Sequence, residues 1–351
     1  MQLTPDGIGH RQLMIRVIYF QMKRGGDDLK YHEDILGAIG NTPLVRLNKV
    51  TRDVKPTVLA KVEFLNPGGS VKDRMAVYMV EDAVKKGKLR PGGTIVENTS
   101  GNTGIGLALY AAVKGYRAVF TMPDKMSREK IALLEAFGAK VVVCPTSVPP
   151  DSPESYYETA KRIARGTPNS YMVDQYHNQN NVEAHYRTTG PEIWEQTEGR
   201  IDCLVAGVGT GGTISGAGKF LREKKPGIKI IGVDPIGSVY HDWFKYRKLI
   251  EAKLYMVEGI GEDMLCETLH FDLMDDIIQV NDRDSFLMTR RLVREEGILA
   301  GGSGGSAVCA ALKACEKLSG DQVVVVILPD SGRNYMSKIF DDDWMREKGF
   351  M

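Results

Sequence analysis

The chain has 351 residues, room for two domains at roughly 100–200 residues each, and its 42% hydrophobic and 26% charged residues are an ordinary globular balance. A net charge of +1 gives no electrostatic reason to expect a nucleic acid or an anionic membrane as partner, and no apolar run approaches the roughly 20 residues of a membrane helix. The five cysteines (Cys144, Cys203, Cys266, Cys309 and Cys315) are widely spaced with no CxxC pair, which argues against a disulfide scaffold and for a reduced, cytoplasmic compartment. The six histidines form no ligand-spaced cluster, so no metal is expected.

Residues 1–30 read as a poorly ordered N-terminal extension. Arg16 interrupts their apolar stretch, and Asp6, Asp27 and Asp28 are out of place in a mitochondrial presequence. From about residue 38 strand-like and helix-like segments alternate. Asn66-Pro67-Gly68-Gly69-Ser70-Val71-Lys72 leads into a helix with an apolar stripe at Ala76, Met79, Val80, Ala83 and Val84. Strands are predicted at Thr94–Glu97, Arg117–Met122 and Lys140–Cys144, with helices over Gly104–Lys114 and from an N-cap at Ser127 to about Phe137. After a polar break near residues 145–190 the plan repeats: strand Asp202–Ala206, helix Thr213–Lys224, strand Ile228–Val233. Val323–Leu328 is a continuous apolar run that suits a strand buried on both faces. The alternation argues for an α/β fold of parallel sheets covered by helices, with ligand loops at the carboxyl ends of the strands.

Four glycine-rich stretches fall on such loops, and each is ambiguous alone. Lys72 sits at a helix start after a glycine turn; most such lysines are solvated, and the spacing does not fit a P-loop. Thr99-Ser100-Gly101-Asn102-Thr103-Gly104 is either a tight turn or a carboxylate site at a helix N-terminus. Gly207-Val208-Gly209-Thr210-Gly211-Gly212-Thr213 contains GxGxxG, and Asp234 follows Gly212 by 22 residues, so the stretch reads as a dinucleotide fingerprint or as a cup for a single phosphate. Gly301-Gly302-Ser303-Gly304-Gly305-Ser306 reads as a loose turn with serine caps before a helical segment, Ala307–Leu312.

Taken in order, NPGGSVKDR, TSGNTG, GVGTGGT and GGSGGS resemble the cysteine synthase/cystathionine β-synthase family of fold type II pyridoxal-phosphate (PLP) enzymes, from about Ile35 to Phe350. The resemblance implies a two-domain architecture like that of tryptophan synthase β. A smaller, mobile α/β domain would span 66–180, and a larger PLP-binding domain 31–65 plus 181–351. Lys72 would anchor the cofactor covalently and serve as the catalytic base at Cα. Asn102 would meet the ring oxygen, and Gly209, Thr210, Gly211, Gly212 and Thr213 the phosphate. Ser303 would face the pyridine nitrogen, where a neutral hydroxyl favours elimination over racemisation. Thr99, Ser100, Gly101 and Thr103 would hold the substrate carboxylate, with Ser100 counted as catalytic. Gln175 and Tyr176 would line the pocket, Gly261 and Glu262 would meet the second substrate, and Asp234 would be only a strand-end residue.

The implied reaction is β-replacement, L-serine plus L-homocysteine giving L-cystathionine and water, a transsulfuration step of cysteine biosynthesis. The stretches Glu258–Asp263 and Leu328–Phe350 favour it over the use of O-acetylserine and sulfide. An NAD(P)-dependent dehydrogenase is the remote rival, resting on Gly207–Gly212 and Asp234 alone. A homodimer is implied. Haem is not expected, because no cysteine precedes Cys144, and neither are paired regulatory domains or activation by S-adenosylmethionine.

Overall fold

The computed structural model describes residues 23–24, 30–99, 101–124, 126, 128–149 and 151–351. The expectations for most of the N-terminal extension, and those for Ser100 and for Ser127 as a cap, lie outside the described residues.

A short antiparallel pair, β1 (Lys23–Arg24) and β2 (Lys30–Tyr31), precedes β3 (Leu44–Arg46) and β4 (Thr57–Val62). Helix α1 (Lys72–Lys85) follows, then β5 (Thr94–Asn98), α2 (Asn102–Lys114), β6 (Arg117–Pro123), α3 (Arg128–Ala136), β7 (Lys140–Cys144), α4 (Tyr156–Gly166) and β8 (Ser170–Met172). The second half runs α5 (Asn180–Arg187), α6 (Thr189–Gln196), β9 (Ile201–Gly207), α7 (Gly212–Lys224), β10 (Lys229–Pro235) and α8 (Tyr240–Tyr246). It ends with β11 (Asp276–Val280), α9 (Asp282–Arg291), α10 (Gly302–Cys315), β12 (Val323–Leu328) and α11 (Asp342–Glu347).

Two larger sheets result. One has the order β7-β6-β5-β8 and is parallel throughout. The other has the order β11-β10-β9-β12-β4-β3 and is parallel except for β3, which runs antiparallel at its edge. The break expected near 145–190 is not empty: it holds α4, the edge strand β8 and α5.

Strand β12 shows why an unbroken apolar run becomes a central strand. Side chains alternate across a sheet. Val324, Val326 and Leu328 enter the cluster on one face, Val325 and Ile327 the cluster on the other. Each is 0–2% exposed, and full burial of such a side chain is worth about 1.5–3 kcal/mol. On α1 the predicted stripe is the buried face: Ala76, Met79, Val80 and Ala83 are all 0% exposed in a cluster shared with α2 and the first sheet.

Two glycines set helix crossings that matter for the site. A Cβ on Gly106 of α2 would lie 2.9 Å from the Ala76 Cβ and 3.1 Å from the Asp73 Cα, so the absent side chain lets α2 pass against the start of α1. A Cβ on Gly216 of α7 would lie 2.1 Å from the Val182 carbonyl oxygen, so α7 and α5 cross just as closely. One expectation is corrected here. Gly302–Ser306 is not a loose turn but the first turns of α10. The glycines serve packing: a Cβ on Gly305 would meet the Ser285 carbonyl oxygen at 2.1 Å.

Candidate cofactor site

The carboxyl ends of β9, β12 and β4 converge on the loops singled out in the sequence. Lys72 is the first residue of α1, and the turn before it is stitched to the end of β12. The Val71 N–H donates to the Pro329 carbonyl at 2.8 Å, and Ser70 bridges Asp330. Burial holds the Lys72 ammonium below the ordinary lysine range, against the pull of Asp330 and Glu262. A largely desolvated amine of this kind is the form that can act as a base.

Facing Lys72 is the loop between β9 and α7. Gly211, at φ 90°, is the residue before the helix, a backbone that side chains rarely adopt. The first-turn N–H groups of α7 have no partner within the helix, and the helix dipole makes that end positive. The loop is held from several directions. Tyr240 Oη donates to the Gly209 carbonyl at 2.9 Å, and Thr268 Oγ1 to the Thr210 carbonyl at 2.5 Å. Asn181 Nδ2 donates to Thr210 Oγ1 at 3.0 Å, and Thr213 Oγ1 lies 3.2 Å from His185 Nε2. His185 is buried; desolvation, with Arg74 and Lys72 nearby, keeps its imidazole neutral, and its Nδ1 lies 2.8 Å from Thr189 Oγ1. Gly209 and Gly212 have no space for a Cβ, which would lie 2.7 Å from the Gly259 carbonyl oxygen and 2.0 Å from Asn181 Oδ1 respectively. One open pocket is lined by Lys72, Gly209, Thr210, Gly211 and Thr213 together with Gly259 and Ile260.

The other predicted residues are not among those that line this pocket. Asn102 begins α2, and its Nδ2 donates to Asp330 Oδ2 at 2.9 Å. Ser303 is 1% exposed in the first turn of α10, just beyond Gly301, whose N–H donates to the Asp330 carbonyl at 3.0 Å. In the first-sheet loop, Thr99 Oγ1 accepts from the N–H groups of Gly101 and Gly104, and Thr103 Oγ1 donates to Gln175 Oε1 at 2.7 Å. Thr103 and Gln175 are thus locked to one another, and Tyr176 is half-buried beside them. Gly261 donates to the Val208 carbonyl at 2.7 Å, which lays the 259–261 segment on the glycine loop. Glu262 lies within electrostatic reach of Lys72 and of the phenols of Tyr156, Tyr157, Tyr176, Tyr240 and Tyr255, and burial with Asp263 nearby raises its carboxyl to about 8. Asp234 is the last residue but one of β10, buried, with its Oδ2 accepting from the His241 N–H at 2.9 Å. Its Oδ1 is buried with no hydrogen-bond partner.

Sequence reasoning missed the residues that hold this site from behind: Asn181, His185, Tyr240, Thr268, Asp330 and Tyr335. None belongs to a glycine-rich stretch, so local pattern carries no signal for them. The arrangement fits a flat, phosphate-bearing group that forms a covalent bond to an amine. A glycine cup at a helix N-terminus takes the phosphate, and a desolvated lysine stands across from it.

A family model described as pyridoxal-phosphate dependent enzyme matches residues 35–330. The chain belongs to that family. Its cofactor is therefore pyridoxal phosphate. The chain is 52% identical over 320 residues to cystathionine β-synthase of Mus musculus, covering 91% of this chain but only 57% of the mouse protein. It is 42% identical over 322 residues to cysteine synthase 1 of Neurospora crassa, covering 90% of this chain and 85% of the relative. Among solved structures, an O-acetylserine dependent cystathionine β-synthase from Helicobacter pylori superposes with a TM-score of 0.81 at 35% identity, covering 88% of this chain and 99% of that one. The fold is the two-sheet α/β architecture of these pyridoxal-phosphate enzymes. Among the described residues no helix is long and apolar enough to cross a membrane.

Proposed function

We propose that this chain catalyses the pyridoxal-phosphate-dependent replacement of the β-hydroxyl of L-serine by the thiol of L-homocysteine, yielding L-cystathionine and water. The observation that carries the reading is the meeting of Lys72 with the glycine cup in one pocket, in a chain about half identical to cystathionine β-synthases. When bound, the cofactor supplies an electron sink for the carbanion at Cα. The protein's residues do the rest. Gly209, Thr210, Gly211, Gly212 and Thr213 hold the phosphate; Asn102 and Ser303 address the ring. Thr99, Ser100, Gly101 and Thr103 orient the substrate carboxylate, with Gln175 and Tyr176 closing the pocket wall. The Lys72 amine, lowered by burial, takes the proton from Cα and returns it once the thiol has added.

Glu262 is assigned to the ammonium of homocysteine. Its carboxyl sits among phenols with a pKa near 8, so an arriving cation draws it into the ionised form. Residues 66–180 are assigned to a smaller, mobile body. The two bodies are joined by an ion pair: Lys130 of α3 pairs with Glu258, which Lys338 also reaches at 2.8 Å.

The second reading is β-replacement on O-acetylserine, with sulfide as one nucleophile. It is favoured by the likeness to a cysteine synthase and to an enzyme described as O-acetylserine dependent. Purified holoenzyme assayed with serine plus homocysteine against O-acetylserine plus sulfide separates the two. Cystathionine formation at least tenfold more efficient than cysteine formation supports the first; the reverse ratio replaces it with the second.

A further inference from the structure

We infer that Asp330 is a positioning residue for the cofactor ring: it holds the side-chain amide of Asn102 so that the remaining N–H of that amide points at the ring oxygen. The inference rests on the assignment of Asn102 to that oxygen. Asp330 follows β12 and is 2% exposed. Its backbone joins two parts of the site, bridging Ser70 beside Lys72 and accepting from Gly301 beside Ser303. Its Oδ2 accepts from Asn102 Nδ2 at 2.9 Å and from Tyr335 Oη at 2.6 Å, while its buried Oδ1 has no hydrogen-bond partner.

The chemistry of the contact sets a direction. An amide carries two N–H donors on nitrogen and only acceptor capacity on oxygen. A carboxylate oxygen that already receives a hydroxyl proton takes only a donor from the amide, so Asn102 must turn its NH2 toward Asp330. One N–H is used there, and the other remains for a negatively charged oxygen. Burial pushes the Asp330 carboxyl up, but the hydrogen bonds from Tyr335 and Asn102, with Lys130 and Lys72 nearby, oppose it. The link also crosses from α2, over the first sheet, to the end of β12 in the second.

The test is the visible absorption band of the holoenzyme and the rate at which it releases the cofactor. Asp330→Asn offers Asn102 a donor as well as an acceptor and frees the amide to turn. The expected result is a shifted band and about tenfold faster release, the weight of one charge-assisted hydrogen bond. Asn102→Ala should shift the same band, and adding Asp330→Asn to Asn102→Ala should change nothing further. If Asn102→Ala shifts the band and Asp330→Asn does not, the positioning role is wrong while the assignment of Asn102 stands. A silent Asn102→Ala overturns both. A further shift in the double variant shows that Asp330 acts independently of Asn102, and also overturns the inference. Should Asp330→Asn fail to fold, Tyr335→Phe loosens the same carboxylate. It should shift the band in the same direction by less and be silent in the Asn102→Ala background; no shift refutes the proposal.

Discussion

Beneath the Lys72 turn lies a group of four buried charges whose disruption should cost a large part of the molecule's stability. Glu192 is 4% exposed and accepts from Lys61 Nζ and from both terminal nitrogens of Arg74, each at 2.7 Å, and from the Asn41 N–H at 3.0 Å. Glu63 completes the group, accepting from Arg74 Nε at 2.7 Å and from Thr42 Oγ1 at 2.7 Å. Two cations balance two anions. Glu192→Gln leaves the cations in excess and turns an amide donor toward other donors. Removing one partner of a buried pair costs about 3–5 kcal/mol, a large part of the roughly 5–15 kcal/mol that holds a domain folded. Burial alone would raise the Glu192 carboxyl, but Arg74 and Lys61 hold it below its usual 4.5. Its contribution is therefore complete above pH 4.5 and is lost as the pH falls through the lower folded value. Urea unfolding at pH 7 should show the loss of about 3–5 kcal/mol, and the gap from wild type should narrow as the pH falls below 4.5. Adding Lys61→Met restores neutrality, so the double variant should lose about 2 kcal/mol less than the sum of the singles. A loss under about 1 kcal/mol for Glu192→Gln, with an additive double variant, would refute this account of the network.

Four further outcomes are expected. Lys72→Ala should abolish turnover and leave no cofactor adduct after borohydride treatment, where the wild-type chain should carry it on the Lys72 peptide by mass spectrometry. Gly212→Ala should lower cofactor retention at least tenfold, since the new Cβ would land 2.0 Å from Asn181 Oδ1; a normally loaded variant would contradict the cup. Asp234 is buried with its carboxyl raised to about 7 from 3.8, so the folded state binds the extra proton and stability falls as pH rises between those values. Asp234→Asn should thus match wild type near pH 4 and exceed it at pH 8 in thermal unfolding. Glu262 ionises near 8, so kcat/KM for homocysteine should rise through that pH more steeply in wild type than in Glu262→Gln; parallel profiles would remove Glu262 from the ammonium's path.

The parts of the fold legible in the sequence are those whose physics is local. Val323–Leu328 could be read as a two-faced strand because six consecutive apolar residues leave no polar side to expose. The stripe on α1 was legible because four of its positions share one helical face and are completely buried. β8 was not, because Ser170–Met172 is a short edge strand whose three residues are only partly buried and so show no strong pattern. The start of α10 was missed for another reason. Gly and Ser disfavour helix interiors locally, and the close approach of Gly305 to α9 that repays them is a tertiary contact.

The same division runs through the site and explains its construction. The glycine-rich stretches could be found because the glycines are themselves the signal, and at Gly209, Gly212 and Gly305 a Cβ would fall 2.7, 2.0 and 2.1 Å from a neighbouring oxygen. The groups that aim them arrive from distant sequence: His185 meets Thr213 across 28 residues, Thr268 meets Thr210 across 58, and Asp330 meets Asn102 across 228. Such partners depend on helix crossings, and those crossings depend on Gly216 and Gly106, which lie within helices rather than in the loops. A bulky residue at Gly216 would separate α5 from α7 and carry His185 away from the cup without altering any residue of the glycine loop. The specificity of the site therefore resides as much in the helix packing behind the loops as in the loops themselves.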